Sequence, residues 1–405
     1  MCNEVESFIF NHWDATIRFH SEDEDTLIGL PLPYTVPCIS DKFQEMYYWD
    51  TYFTNVGLIL SGYLEQAKNN VENIAYLIRK FGYMPNGNRT FYLSRTQPPF
   101  FSQMVRDVYE QTRDKTWLAE MYSVVETEYL FWMTNRMTAT GLNRYCGNPE
   151  KLCEDVALEL TQRFGIDPPK NPQEQQDYTD CMLAFCESGW DCTSRFGMQA
   201  HLYNPVDLNA LLYGVESNMA YFGTVLERSD YVQWKDRAKF RKIAMDNFLW
   251  DEDSGCYYDY QFAQSERTCI RSVAAFYPMW VGMPEEDQAA RVVKHLAALE
   301  QQYGVAATEN FPGISSLQWD YPHGWACLQY ILISGLLRYG YHTHAQRIAE
   351  KYCAVVERNY AATQNIWEKY DTVSGEVSIT KEYESPKMMG WSAGIYLYCK
   401  RLLKQ

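Results

Sequence analysis

The 405-residue sequence has no long apolar run. Its longest apolar stretches, such as Tyr330-Ile331-Leu332-Ile333, fall far short of the ~18 residues of a membrane span. It has no Gly/Ser linker and no low-complexity segment, so nothing divides it into separate domains. Positive charge is scarce: 36 Lys and Arg stand against 52 Asp and Glu, for a net charge of −16. Such a chain offers no basic field to phosphates, which argues against nucleic acid and anionic membranes as partners. The 12 cysteines include no CxxC pair, and Asp and Glu are not gathered with His at ligand spacing, so no metal is expected. The phosphate-cradling GxGxxG and GxxxxGK[ST] patterns and the GxSxG nucleophile elbow are all missing, so no nucleotide or flavin cofactor is expected. Met1-Cys2-Asn3-Glu4-Val5-Glu6-Ser7 shows no basic segment followed by an apolar one. With reduced thiols as the default in that case, the expected location is cytoplasmic.

Aromatic residues are what the sequence has in plenty. Thirty-two Tyr, 19 Phe and 12 Trp make up 16% of the chain. Tyr and Trp join an apolar face to one polar handle, which suits sugar rings, whose faces are apolar and whose rims carry hydroxyls. A large aromatic-rich helical core uses the same residues, and composition leaves both open.

The apolar period is helical through most of the chain. Helical segments are expected in neighbouring pairs over 49–62 with 64–81, 100–113 with 115–137, 206–228 with 231–249, 272–281 with 284–300, and 323–339 with 341–361. Helices near 4–18 and 387–403 complete six pairs if the chain ends meet. Gly62, Asp114, Pro284 and Gly340 mark the breaks. Within several pairs the first helix is apolar all round and the second one-sided, the pattern of a buried helix covered by an outer one. The expected fold class is therefore all-α, an (α/α)6 barrel in a single domain over 1–405. The stretches 20–45, 82–99, 139–205, 250–271 and 301–322 are too long for tight turns and are expected as rim loops, where sites are built.

Five segments place a carboxylate or an Arg among aromatic residues just ahead of an apolar helix. They are Lys42 to Phe53, Pro85 to Phe100, Glu187 to Arg195, Gln318 to Ala326, and Lys381 to Glu384 with Gly390-Trp391. A capping Asp at an aromatic helix start explains any one of them; five in one chain call for another reading. Cleaving a glycosidic bond needs one carboxylic acid to protonate the leaving oxygen and one carboxylate to activate water or attack carbon. Aromatic walls keep such an acid protonated near neutral pH by desolvation. The five segments are expected to converge on one pocket.

These segments resemble the signatures of the trehalases, family 37 of the glycoside hydrolases. Gln318-Trp319-Asp320-Tyr321-Pro322-His323-Gly324-Trp325-Ala326 is similar to the family's QWDxPNGWAP, and Phe43 to Phe53 to its RFxExYYWDSYF. Pro85 to Phe100 resembles PNGNRxYYLxRSQPPF, and Glu187 to Arg195 resembles ESGWDxSSR. Pro205 to Leu212 and Glu368-Lys369-Tyr370-Asp371 also have counterparts. The resemblance runs in order from about residue 31 to the end. It implies an (α/α)6 barrel that cleaves an α-glucosidic bond with inversion, needs no cofactor, and takes a neutral disaccharide or glucoside. It implies Asp191 as general acid. The base is implied at Glu382, which stands nine residues before Trp391 as the base of the family's GGGGEY segment does before its GW tryptophan. Glu384 is the rival, because the Gly run is missing. The implied sugar contacts are Phe43, Tyr47, Trp49, Asp50, Asn86, Arg95, Gln97, Gly189, Trp319 and Trp325.

The chain departs from the family where sugars are read. The family's PGGRF becomes Ile39-Ser40-Asp41-Lys42-Phe43, so an Arg is a Lys. Its PRPESYxED segment corresponds to Gly147-Asn148-Pro149-Glu150-Lys151-Leu152-Cys153-Glu154-Asp155, so a second Arg is Asn148. Lys does not replace a bidentate Arg, and Asn removes the charge. Another α-linked glucoside is therefore a rival to trehalose as substrate. A sugar-binding protein without activity is the third reading, which retention of Asp191 and Glu382 disfavours.

Overall fold

The computed structural model describes residues 3–40, 42–148, 156–311, 317–378 and 386–404. Its helices, in chain order, are α1 (Glu4–His12), α2 (Tyr48–Leu60), α3 (Leu64–Phe81), α4 (Phe101–Thr112), α5 (Lys115–Asn135), α6 (Val156–Phe164), α7 (Pro172–Ser188), α8 (Val206–Val225), α9 (Tyr231–Phe248), α10 (Tyr277–Val281), α11 (Glu286–Val293), α12 (Leu296–Leu299), α13 (Ala326–Arg338), α14 (His342–Thr363) and α15 (Gly390–Leu402). Strands among the described residues are two or three residues long, in four two-stranded pairs and one three-stranded sheet. The chain is all-α, as expected, and the pairs α2–α3, α4–α5, α8–α9 and α13–α14 fall where the periodicity places them.

Three expectations are corrected. The helix near 4–18 stops at His12, gives way to a 3-10 turn at Asp14–Thr16, and becomes a strand at Ile17–Arg18 paired with Tyr34–Thr35. The stretch 272–281 is a 3-10 turn, Val273–Phe276, followed by α10, with Pro278 in its first turn; 284–300 is split into α11 and α12. The stretch 139–205, expected as a loop, holds α6 and α7. The start of α7 was signalled: Asn171 accepts hydrogen bonds from the amides of Gln173 and Glu174, and Pro172 occupies the first turn, both standard helix-start chemistry. Its polar first half, Gln173 to Asp177, hid the apolar period.

The chain forms two compact units. The first comprises Met1–Asn73, Arg271–Ser316 and Asp320–Gln405. In it the first long helix meets the last, because α2 and α15 approach through glycine. A Cβ on Gly57 would lie 2.4 Å from the Gly394 Cα, and one on Gly394 would lie 2.6 Å from the Phe53 carbonyl oxygen. Asn3 caps α1 and donates from Nδ2 to the Tyr396 hydroxyl and the Glu357 carboxylate, which ties the start of the chain to α15 and α14. α13 buries Cys327, Leu328, Ile331, Leu332, Ile333 and Leu336, whereas α14 buries a stripe through Ala345, Ile348, Ala349, Tyr352 and Val356. This is the buried-and-cover relation the pattern implied.

The second unit comprises Ile74–Ile270 and Leu317–Trp319. It contains α4 to α9 and the three-stranded sheet Tyr203–Asn204, Tyr260–Gln261, Glu266–Arg267, antiparallel in that order. Its buried polar groups are tied by arginines. Arg241 donates to Glu216, Asn143 and Asn209, and Arg195 donates to Asp207 and Asp259.

Candidate active site

In the second unit, the Asp191 segment is built by the end of α7. Gly189 caps the helix in the left-handed conformation at φ 72°, which a side-chain-bearing residue adopts only with strain. The chain thereby leaves the helix at once. Ser188 receives a hydrogen bond from the Trp190 amide at 3.0 Å while its hydroxyl donates to the Phe185 carbonyl at 2.7 Å. Trp190 is fully buried, its ring 5.5 Å from that of Trp319. The Trp319 amide donates to the Cys192 carbonyl at 2.9 Å, which lays the 317–319 segment on the acid-bearing one. Asp191, half-buried, follows this aromatic pair.

Behind Trp190 lies a cation. The Arg195 guanidinium sits 4.2 Å from the Trp190 ring centroid, within cation–π range. Two carboxylates engage it: Nη2 donates to Asp207 and Asp259 at 2.8 Å each, and Nε donates to Asp259 at 3.0 Å. Burial works against the Arg195 charge, but the two aspartates raise its proton affinity well above the ordinary value. Burial also pushes the Asp259 carboxyl up, against the pull of Arg195.

The Pro85–Phe100 loop turns back on itself, the Asn86 amide donating to the Arg95 carbonyl at 2.9 Å. Asn86 also donates from Nδ2 to the Cys186 carbonyl at 3.4 Å, which hangs the loop on α7. Arg95 stacks over Tyr92 at 5.1 Å and donates to the Ser94 hydroxyl at 3.0 Å; its buried Nε meets no acceptor among the described residues. The Asn148 amide donates to the Ser94 carbonyl at 2.6 Å. Arg95 and Asn148 line one cavity of about 350 Å³, with Tyr83, Phe131 and Arg136. Gln97 is buried in the same loop.

In the first unit, a second aromatic group collects Trp49, Trp325 and Trp391. The Trp391 ring meets Trp49 at 5.9 Å and Trp325 at 5.7 Å, edge to face in both cases, the arrangement ring quadrupoles favour. The strand His323–Trp325 pairs with Lys369–Asp371, setting Trp325 opposite Lys369. Lys369 lies 4.8 Å over the Trp325 ring, and its Nζ donates to the Glu368 carboxylate at 2.6 Å, both side chains buried. Trp391 Nε1 and the Ser392 hydroxyl donate to the Glu368 carbonyl. Phe43 is in the left-handed region at φ 55°, its ring 5.9 Å from Tyr47. Tyr47 donates to Glu45, and Asp50 lies in the first turn of α2. Burial, then the Asp50 charge, pushes the Cys327 thiol far above its usual range.

The sequence-based site residues thus fall into two sets. Asn86, Arg95, Gln97, Gly189, Asp191 and Trp319 belong to the second unit, and Phe43, Tyr47, Trp49, Asp50 and Trp325 to the first. Lys42 has an exposed side chain, and its carbonyl accepts hydrogen bonds from Gln44 and Cys38. Glu382 and Glu384 lie outside the described residues, as does the stretch 149–155. Two residues were given no role from the sequence although their segments were singled out: Glu187, which binds Arg136, and Glu368, which binds Lys369. Their signal was a Glu inside a matched segment. Their cation partners were not legible, because one is 51 residues away and the other is a buried Lys.

Comparison with known proteins bears on the family and the fold. The trehalase family model matches residues 11–403. A periplasmic trehalase of Pseudomonas aeruginosa is 33% identical over 98% of this chain and 76% of its own length. One from Salmonella choleraesuis is 33% identical over 92% of the chain and 68% of its own length. The solved structure of neutral trehalase from Saccharomyces cerevisiae superposes with a TM-score of 0.78 at 27% identity, covering 98% of this chain and 79% of that one. The fold class is the all-α (α/α)6 class expected from the helix pairs. The cytoplasmic expectation is corrected: similar proteins are named periplasmic trehalases. That expectation rested on the character of the first residues and on unpaired thiols. Neither bears on where a chain with buried cysteines such as Cys38, Cys181 and Cys399 resides. The similarity implies a disaccharide substrate, and the chain is a glycoside hydrolase that belongs to the trehalase family.

Proposed function

We propose that residues 1–405 act as one catalytic domain that hydrolyses α,α-trehalose, a neutral disaccharide, to two glucose molecules with inversion. A chain of net charge −16 is a poor partner for nucleic acid or anionic membranes. The single observation that carries the reading is the left-handed stop at Gly189, which delivers Asp191 off the end of α7 beside the buried Trp190–Trp319 pair. A carboxyl group desolvated by aromatic walls keeps its proton and can give it to a leaving oxygen. Asp191 is the general acid. Glu382 is the base that activates water, with Glu384 its neighbour and rival. Phe43, Tyr47, Trp49, Asp50, Asn86, Arg95, Gln97, Gly189, Trp319 and Trp325 hold the sugars. Inversion requires acid and base carboxyls roughly 6.5–9.5 Å apart, with water against the anomeric carbon.

A second reading of the base has its own support. Glu368 is a buried carboxylate paired with Lys369, whose ammonium lies over the Trp325 ring. The amide variants decide. Asp191→Asn should lose nearly all turnover on trehalose while still binding it. Glu382→Gln, Glu384→Gln and Glu368→Gln, assayed side by side, assign the base to whichever variant is as inactive as Asp191→Asn. Product analysis by NMR in the first minutes should show β-glucose released alongside α-glucose from an all-α substrate. Retention would overturn the mechanism. Faster turnover of another α-glucoside than of trehalose would move the substrate to the one suggested by Lys42 and Asn148.

A further inference from the structure

We infer that Glu187 is a positioning residue that holds the general acid's segment against the sugar-binding segment. This rests on the reading of Asp191 as the acid and adds a residue to it. The Glu187 side chain is fully buried, and four donors among the described residues reach its two oxygens. Arg136 donates from Nε to Oε1 at 2.7 Å and from Nη2 to Oε2 at 2.9 Å. The Cys146 amide donates to Oε1 at 3.1 Å, and the Thr96 amide to Oε2 at 3.2 Å. The three segments that meet here all bear on the sugar. Thr96 stands between Arg95 and Gln97. Cys146 stands two residues before Asn148, which shares a cavity with Arg95. Glu187 itself stands two residues before Gly189, where the chain turns out to Asp191.

Structural need alone does not call for this design. A buried ion pair is often no better for stability than an apolar replacement. The pair here serves backbone amides instead, and amides are what fix a loop's path. Arg136 supplies the opposite charge to the buried carboxylate. Burial pulls the arginine's proton affinity down, and Glu187 more than restores it. The field of the ionised carboxylate shows in its neighbours: after burial, Glu187 is the next cause that pushes the Tyr83 phenol up to about 12, and the Cys146 thiol rises for the same two reasons. One carboxylate therefore sets the spacing of the acid-bearing turn, the Arg95–Gln97 segment and the Asn148 segment.

Glu187→Asp tests this. It keeps the charge but withdraws the carboxylate by one methylene. The long Arg136 side chain can follow; the amides of Thr96 and Cys146 are held by their own loops. Displacing reacting groups by about 1 Å costs on the order of a hundredfold in rate. The expected result is a fall of about that size in kcat on trehalose, with the melting temperature within about 4 °C of the parent. α-Glucosyl fluoride, whose leaving group needs no proton, should lose less than about tenfold, because acid catalysis contributes ~10²–10⁴ only where a proton must be given. Arg241→Lys alters the buried pair with Glu216 instead, and should lose stability with kcat within about threefold, since a structural pair costs stability rather than rate. Equal losses on both substrates, kcat unchanged in Glu187→Asp, or losses that track stability in both variants would each overturn the positioning role. Should Asp191→Asn turn over trehalose normally, the acid assignment fails and this proposal fails with it. If Asp191→Asn is dead but Glu187→Asp is not split between the substrates, only the positioning role is lost.

Discussion

Trp190 with Trp319 in the second unit, and Trp49 with Trp325 and Trp391 in the first, are both buried aromatic groups beside a carboxylate, yet their cations are used differently. Arg195, against the face of Trp190, spends its charge on Asp207 and Asp259. Lys369, over the face of Trp325, is paired with Glu368. In the first case two buried carboxylates outweigh one guanidinium, so the cluster brings no net positive charge to the acid-bearing turn. In the second a single ammonium meets a single carboxylate. Similar aromatic walls therefore face different charge: a cation shared between two carboxylates in one cluster, and a one-to-one ion pair in the other.

The sharpest way to break this comparison is Lys369→Met. Without the ammonium, a buried Glu368 gains proton affinity by desolvation. If Glu368 is the base, it must be ionised to act. Turnover should then fall most on the acidic side of the pH–rate profile. Activity would recover on the alkaline side. A loss that is the same at every pH leaves the base at Glu382 or Glu384 and makes Lys369 structural.

Arg195→Met probes the other cluster through stability. It leaves Asp207 and Asp259 buried without their cation, and breaking a buried pair in this way costs about 3–5 kcal/mol. Denaturant unfolding near neutral pH should show that loss. The deficit should shrink as pH falls and Asp259, whose proton affinity burial already raises, takes up a proton, since a neutral carboxyl tolerates burial. A deficit independent of pH would mean that Arg195 stabilises by packing on Trp190 and Phe196 and not by charge.

The two clusters also separate what the sequence made legible from what it hid. The helix pairs followed from apolar period and Gly or Pro breaks, because each depends on neighbours within a few residues. The Gly189-Trp190-Asp191 segment was legible as a motif, but not as a helix stop, because 139–205 was expected as a loop. The ion pairs were not legible. Arg195 reaches Asp259 across 64 residues, and Arg136 reaches Glu187 across 51; no spacing rule links such positions. α7 escaped because its first half is polar, although Asn171 and Pro172 marked its start. The base candidates Glu382 and Glu384 lie outside the described residues, and Glu368 was overlooked because a Lys beside a Glu in sequence normally reads as a solvated pair.

Gly394→Ala is expected to cost less than either cluster variant. α15 approaches α2 so closely that an added Cβ would meet the Phe53 carbonyl oxygen at 2.6 Å. Overpacking of this kind costs about 1–3 kcal/mol. The Trp49–Trp391 contact joins the same two helices, so the aromatic group of the first unit should shift as well. Measured by thermal melting and by tryptophan fluorescence, Gly394→Ala should lower stability and alter the emission. Emission unchanged from the parent would show that the helices can part without disturbing the rings.

The smallest effect is expected at His323, which stands where the family's QWDxPNGWAP segment has Asn. Its Nδ1 is hydrogen-bonded with the Ser378 hydroxyl. Burial first, and then the nearby Lys369 charge, lower its pKa from 6.5 to about 4, against a weaker opposite pull from Asp371. The folded protein therefore prefers the neutral ring. Between pH 6.5 and 4 the unfolded chain binds a proton at this position that the folded chain does not, so stability rises with pH across that window. The contribution is fully present above 6.5 and is lost as pH falls towards 4. His323→Asn removes the titrating ring and keeps a polar side chain. Its stability curve should match the parent's above pH 7 and fall less steeply below 6, with a gain of about 1–2 kcal/mol at pH 4.5 after allowing for partial solvent access. Parallel curves for the two proteins through that window would show that His323 titrates no differently in the folded and unfolded chains. The Lys369 charge would then not reach beyond Glu368.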